Sequence, residues 1–130
     1  MGKKIIFTDE APKPIGPYSQ AVEINNTLYI SGQIAVNPTD GKIAIGVQSQ
    51  TEQVLENIGA ILMAANYDYC DVVKCTCILS DIGNFGAMNE VYERYFDKHP
   101  PSRSVFAVDK LPLGCLIEIE CIASKTLFNR

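Results

Sequence analysis

Residues 100–123 read PPSRSVFAVDKLPLGCLIEIECIA, and the fold turns on how this stretch is read. It is expected to form two β-strands joined by a turn. The first starts behind Pro100-Pro101, a pair that no helix continues through, and carries Arg103 at its entrance. The second alternates Ile117-Glu118-Ile119-Glu120, the period of two that marks a strand with one face buried. A cation and a carboxylate on paired or neighbouring strands are the most chemically suggestive features of the chain. They form either a site or a surface ion pair.

Working outward, Phe85, Met88, Val91, Tyr92, Tyr95 and Phe96 recur at helical spacing, and the proline pair stops that helix. Its aromatic stripe reads as core packing. Upstream, residues 71–79 alternate, with Val73, Cys75, Cys77 and Leu79 on one side of a strand. A longer helix opens at Gly46 or the loop before it. Val47, Thr51, Val54, Leu55, Ile58, Ile61, Leu62 and Ala65 form its inner stripe, and Gln50, Glu52, Gln53, Glu56 and Asn57 its wet face. Asn66 caps its C-terminal end. Residues 21–24 and 28–34 read as a hairpin around Asn25-Asn26, which tolerate the positive φ of a tight turn. Residues 9–17, with three prolines, are irregular, and residues 4–8 are an edge strand.

The element order is therefore β-β-β-α-β-α-β-β: an α+β single domain over residues 1–130, with two helices packed on one face of a mixed β-sheet. On the last strand Cys115, Ile117, Ile119, Cys121 and Ala123 should meet the helices, leaving Leu116, Glu118, Glu120 and Ile122 on the other face. If Arg103 and Val105 also point there, that face mixes aliphatic residues with a few charges. Such a face suits packing against copies of itself, with Arg103 a natural partner for the carboxylates. A homo-oligomer with its site near the subunit boundary is expected.

Composition narrows the function. Of 130 residues, 47% are hydrophobic and 20% charged, ordinary for a globular chain, and a net charge of −4 gives no basic footprint for nucleic acid. Lys3-Lys4 precede only three apolar residues, too few for a signal-peptide core, and no run is long enough to span a bilayer, so a cytoplasmic location is expected. The five cysteines, Cys70, Cys75, Cys77, Cys115 and Cys121, lack a CxxC pair and read as small core residues in a reducing compartment. His99 is the sole histidine, which argues against a zinc site or a histidine-activated nucleophile.

Five motifs in register, GPYSQA (16–21), YISGQI (29–34), MNEVYERYF (88–96), PPSRS (100–104) and LPLGCLIEIECIA (111–123), resemble the reactive-intermediate deaminase family, the Rid or YjgF-like proteins. The resemblance implies a chorismate-mutase-like fold, a homotrimer with clefts between subunits, and hydrolysis of 2-imino acids to 2-keto acids and ammonia without cofactor or metal. It implies that Arg103 binds the substrate carboxylate and Glu118 positions water. It also implies cleft positions for Tyr18, Ser31 and Gly32, and a supporting position for Asn89. Glu120 shares a strand face with Glu118, so the choice between them rests on the resemblance. One departure is Val105, where many active members carry cysteine; the resemblance implies that the contact there is the backbone carbonyl with the imine nitrogen.

The chemistry suits these residue types. A planar guanidinium holds a carboxylate through two parallel hydrogen bonds. A carboxylate can orient and deprotonate the water that attacks an imine carbon. Two other readings stand beside this one: a non-catalytic protein that binds small carboxylates and regulates a partner, and an RNA-directed protein, which the acidic charge disfavours.

Overall fold

In a computed structural model, which describes residues 2–125, strands β1 (Lys4–Ile6), β2 (Ala21–Ile24), β3 (Thr27–Gln33), β4 (Val72–Leu79), β5 (Ser102–Ala107) and β6 (Ile117–Ser124) form one six-stranded sheet. Helices α1 (Val47–Ala64) and α2 (Phe85–Tyr95) complete the expected order. The sheet runs β1-β2-β3-β6-β4-β5. Its pairs are antiparallel except β4 with β5, which the α2 crossover makes parallel.

The hairpin between β2 and β3 closes on Asn25 and Asn26, both at positive φ (49° and 62°), the signature of a two-residue turn whose twist matches its strands. At the other end of α1, Asn66 sits at φ 67°. Its N–H donates to the Met63 carbonyl, and the Tyr67 N–H reaches back to Leu62. That is a Schellman ending, with asparagine in the place glycine usually takes.

The core lies between the sheet and the helices. Val54, Leu55, Ile58, Ile61 and Leu62 of α1 and Met88, Val91 and Tyr92 of α2 are buried, together with Leu28, Ile30, Cys75, Cys77, Leu79, Ile117, Ile119 and Cys121 from the strands. Each large aliphatic side chain so buried stabilises the fold by roughly 1.5–3 kcal/mol. The other sheet face carries Tyr29, Ile122, Lys74, Thr76, Glu120, Glu118 and Phe106, half-exposed or exposed, with no helix over them.

Several expectations need correction. The strands of the opening stretch do not pair: β4 lies between β5 and β6. Val73 is 48% exposed and Val72 is the buried residue, because the β4–β6 register shifts between Val72 and Lys74 and breaks the alternation there. Helix α2 ends at Tyr95, before the proline pair is reached. Cys70 is exposed, unlike the other cysteines.

The wet face of α1 is also only partly wet, since Gln50 and Asn57 are 5% and 1% exposed. Gln50 Nε2 donates to the Ala44 carbonyl (3.0 Å), and its Oε1 accepts the Leu116 N–H (2.7 Å). Asn57 Nδ2 donates to the carbonyls of Ile34 (3.2 Å) and Val36 (3.0 Å). These amides pin two irregular segments, residues 34–46 and the approach to β6, onto the helix.

Candidate active site

The predicted residues fall into two groups on opposite faces of the sheet. Arg103 pairs in register with Cys75, whose side chain faces the helices, so Arg103 projects beneath α2 and not onto the helix-free face. Its guanidinium carbon sits 4.7 Å from the centre of the Tyr92 ring and 5.5 Å from that of Phe85. Nη1 donates to Asn89 Oδ1 at 2.8 Å. Residues 85, 89 and 92 occupy successive turns of one α2 face, which explains their convergence on a single cation. Ring faces attract a cation without neutralising it. Among the described residues no carboxylate pairs with Arg103. The result is a positioned guanidinium with most of its donors free for an incoming anion.

Val105 lies two residues on, opposite Cys77, with its side chain half-buried against the core. The aromatic stripe read as packing thus has a second role, holding Arg103. That signal was legible only as helical spacing.

The second group gathers around Glu118. A pocket on the helix-free face is lined by Ile15, Tyr18, Ser31, Gly32, Glu118 and Glu120 among others. Here the close approach demands glycine: a Cβ on Gly32 would collide with the Glu118 carboxylate. Ser31 Oγ donates to the Ser19 carbonyl (2.6 Å) and the Ser31 N–H to that of Gln20, tying residues 19–20 to β3. Gln20 is buried. Its amide accepts the Thr8 N–H and donates to the carbonyls of Thr8, Ala11 and Pro12, so it orders the proline-rich segment beside the pocket. Tyr18 is 49% exposed, its ring open to the pocket rather than buried. Burial, and after it the negative charge of Glu120, raises the Glu118 carboxyl above the ordinary glutamate range. A carboxyl raised in this way is a stronger base, once ionised, than an ordinary glutamate.

Arg103 and Glu118 therefore do not meet within one chain. In register Arg103 stands at the level of Cys75 and Glu118 at that of Ile78, on strands separated by β4. The two backbones are offset by roughly 10 Å across the sheet and roughly 10 Å along it. Their side chains leave opposite faces.

Sequence reading missed the tip of the turn before β6. Leu113 adopts φ 57°, ψ 23°, a conformation that costs a branched side chain about 1–3 kcal/mol, and it is 62% exposed beside the Tyr18 pocket. The LPLG sequence marks a turn but does not say which way Leu113 faces.

Comparison with known proteins places this geometry in context. Residues 8–125 match the family model described as endoribonuclease L-PSP. The chain is 53% identical over 124 residues to a RutC family protein of Pyrococcus horikoshii, covering 95% of this chain and 98% of that one. It is 46% identical over 122 residues to the 2-iminobutanoate/2-iminopropanoate deaminase of Mus musculus, covering 93% and 90%. Among solved structures, E. coli TdcF with bound serine superposes with a TM-score of 0.91 at 42% identity, covering 95% of this chain and 99% of that one.

Proposed function

The chain belongs to the endoribonuclease L-PSP family, the YjgF/RidA proteins, and from that membership we propose that it hydrolyses 2-imino acids to 2-keto acids and ammonia. The observation that carries this reading is the guanidinium of Arg103, fixed by two rings and Asn89 yet unpaired with any carboxylate among the described residues. A guanidinium held in one place with open donors is preorganised for a small carboxylate. TdcF was crystallised with serine bound, a small molecule that carries a carboxylate.

In the proposed reaction Glu118 accepts a proton from water as the water oxygen bonds to the imine carbon. The C=N electron pair moves to nitrogen, which takes up a proton. The hydroxyl proton of the resulting tetrahedral amino alcohol then passes by way of Glu118 to nitrogen, the C–N bond breaks, and ammonia leaves as the C=O bond of the 2-keto acid forms. Atoms and charge balance with water as the sole co-reactant. The Gly32 backbone, brought close to Glu118, bounds the space for that water, and the Tyr18 hydroxyl donates to the bound acid. At Val105 the backbone carbonyl, not the side chain, is the partner for the imine nitrogen.

Arg103 and Glu118 leave opposite sheet faces, so a site that uses both draws them from two copies of the chain; that the assembly is a homotrimer with shared clefts rests on the family resemblance. The net charge of −4 counts against RNA as the substrate.

The test is a coupled assay in which an amino-acid oxidase generates the imine and keto-acid release is followed. The wild-type chain accelerates release over the spontaneous rate. Arg103→Ala loses two charge-assisted hydrogen bonds, each about 1.5–3 kcal/mol, so kcat/KM drops on the order of 100-fold or more. No acceleration by the wild type sinks the proposal.

A further inference from the structure

We propose that Leu113 is a specificity-determining wall of a side-chain pocket that selects 2-imino acids with aliphatic chains of about four carbons over the shortest ones. This rests on the deaminase reading above. A cavity of about 240 Å3 lies beside the Glu118 pocket and shares Ile15, Tyr18, Gly32 and Ile34 with it; Val36, Leu113, Pro12 and Pro38 add to its apolar wall. One water molecule takes up about 30 Å3, so this space holds several carbon atoms.

Apart from Lys13, which also lines the cavity, and the Tyr18 hydroxyl, the polar side chains around it make hydrogen bonds within the chain. The side-chain nitrogens of Gln20 and Gln33 donate to backbone carbonyls of their own chain, and Asn37 Oδ1 accepts the Thr39 N–H at 2.8 Å. What the cavity offers a ligand is therefore mainly carbon surface. Of the apolar side chains around the cavity only Ile15, at 75%, is more exposed than Leu113, at 62%. Its left-handed backbone, followed by Gly114 at φ 70°, leaves the isobutyl group in solvent at the cavity's edge, although Cys115 two residues on is buried. A leucine placed this way gains burial only when something apolar covers it. A substrate whose imine carbon sits at Glu118 can direct its side chain across Gly32 toward it. In such pockets each methylene alters kcat/KM by roughly tenfold or more.

The experiment compares imines generated from leucine and from alanine, together with the affinities of 4-methyl-2-oxopentanoate and pyruvate measured by calorimetry. The wild type is expected to favour the longer compound in both turnover and binding. Leu113→Asn keeps a residue tolerant of the left-handed backbone and lowers that preference at least tenfold. Leu113→Gly, which relieves the strain, does the same. An unchanged preference in both variants overturns the pocket, as does equal binding of the two keto acids by the wild type. If no imine is accelerated and neither keto acid binds, the deaminase reading itself fails.

Discussion

At the scale of single residues, the environment of each charge sets its use. Arg103 is held by uncharged neighbours, the rings of Phe85 and Tyr92 and the amide of Asn89, so it keeps its full charge for a ligand. Glu118 lies among partly buried groups on the other face, with Glu120 two residues along the same strand face. Burial and that like charge both raise its carboxyl above the ordinary range, and the sign of the pH effect follows. A catalytic carboxylate is lost as pH falls through its raised value, so the acid limb of kcat/KM lies above the usual glutamate range. Glu120→Gln removes the like charge and moves that limb to lower pH. A pH–rate profile of the two proteins checks this. An unmoved limb, or one moved upward, would show that Glu120 does not tune the base.

At the scale of elements, the helices do more than cover the sheet. Asn57 looked solvated because polar residues normally occupy the outer face of an amphipathic helix. The structure instead spends its amide on the carbonyls of Ile34 and Val36, in the segment that lines the apolar cavity. Asn57→Ala leaves two backbone acceptors without this donor at a buried position. Unsatisfied groups of this kind cost about 1–3 kcal/mol, which lowers the thermal midpoint by several degrees in a domain of this size. Thermal unfolding followed by circular dichroism measures the loss. Glu52→Gln, on the exposed side of the same helix, is expected to change the midpoint by less than about 0.5 kcal/mol equivalent. Equal effects from the two substitutions would deny Asn57 its anchoring role.

At the scale of the whole molecule, the sheet divides the chemistry. Arg103, the proposed carboxylate-binding cation, projects at one edge, under α2, while Glu118, proposed to handle water, occupies the opposite, helix-free face. If two copies build each site, chains carrying Arg103→Ala and chains carrying Glu118→Ala complement each other. Either variant alone is inactive. Unfolding and refolding them together at equal amounts restores activity at about one quarter of the sites, because each site then draws its two residues from independently chosen chains. An assay of the mixture against each variant alone decides it. No recovery in a mixture shown to have exchanged subunits would place the complete site within one chain.

The sequence by itself determined the order of elements, the inner face of β6, most of the inner faces of both helices, and the Asn-Asn hairpin, because these depend on local periodicity and on the φ preferences of single residues. Its five motifs also named the residues of the candidate site. It could not determine that β4 separates β5 from β6, that a register shift turns Val73 outward, or that Gln50 and Asn57 are buried. Those outcomes depend on which distant segments a strand or an amide meets. Tertiary structure likewise decided that Arg103 lies under α2 while Glu118 faces away from the helices. Alternation along a strand says which neighbours share a side, but not which side of the sheet an edge strand will present, since that is fixed only when β5 docks in parallel beside β4.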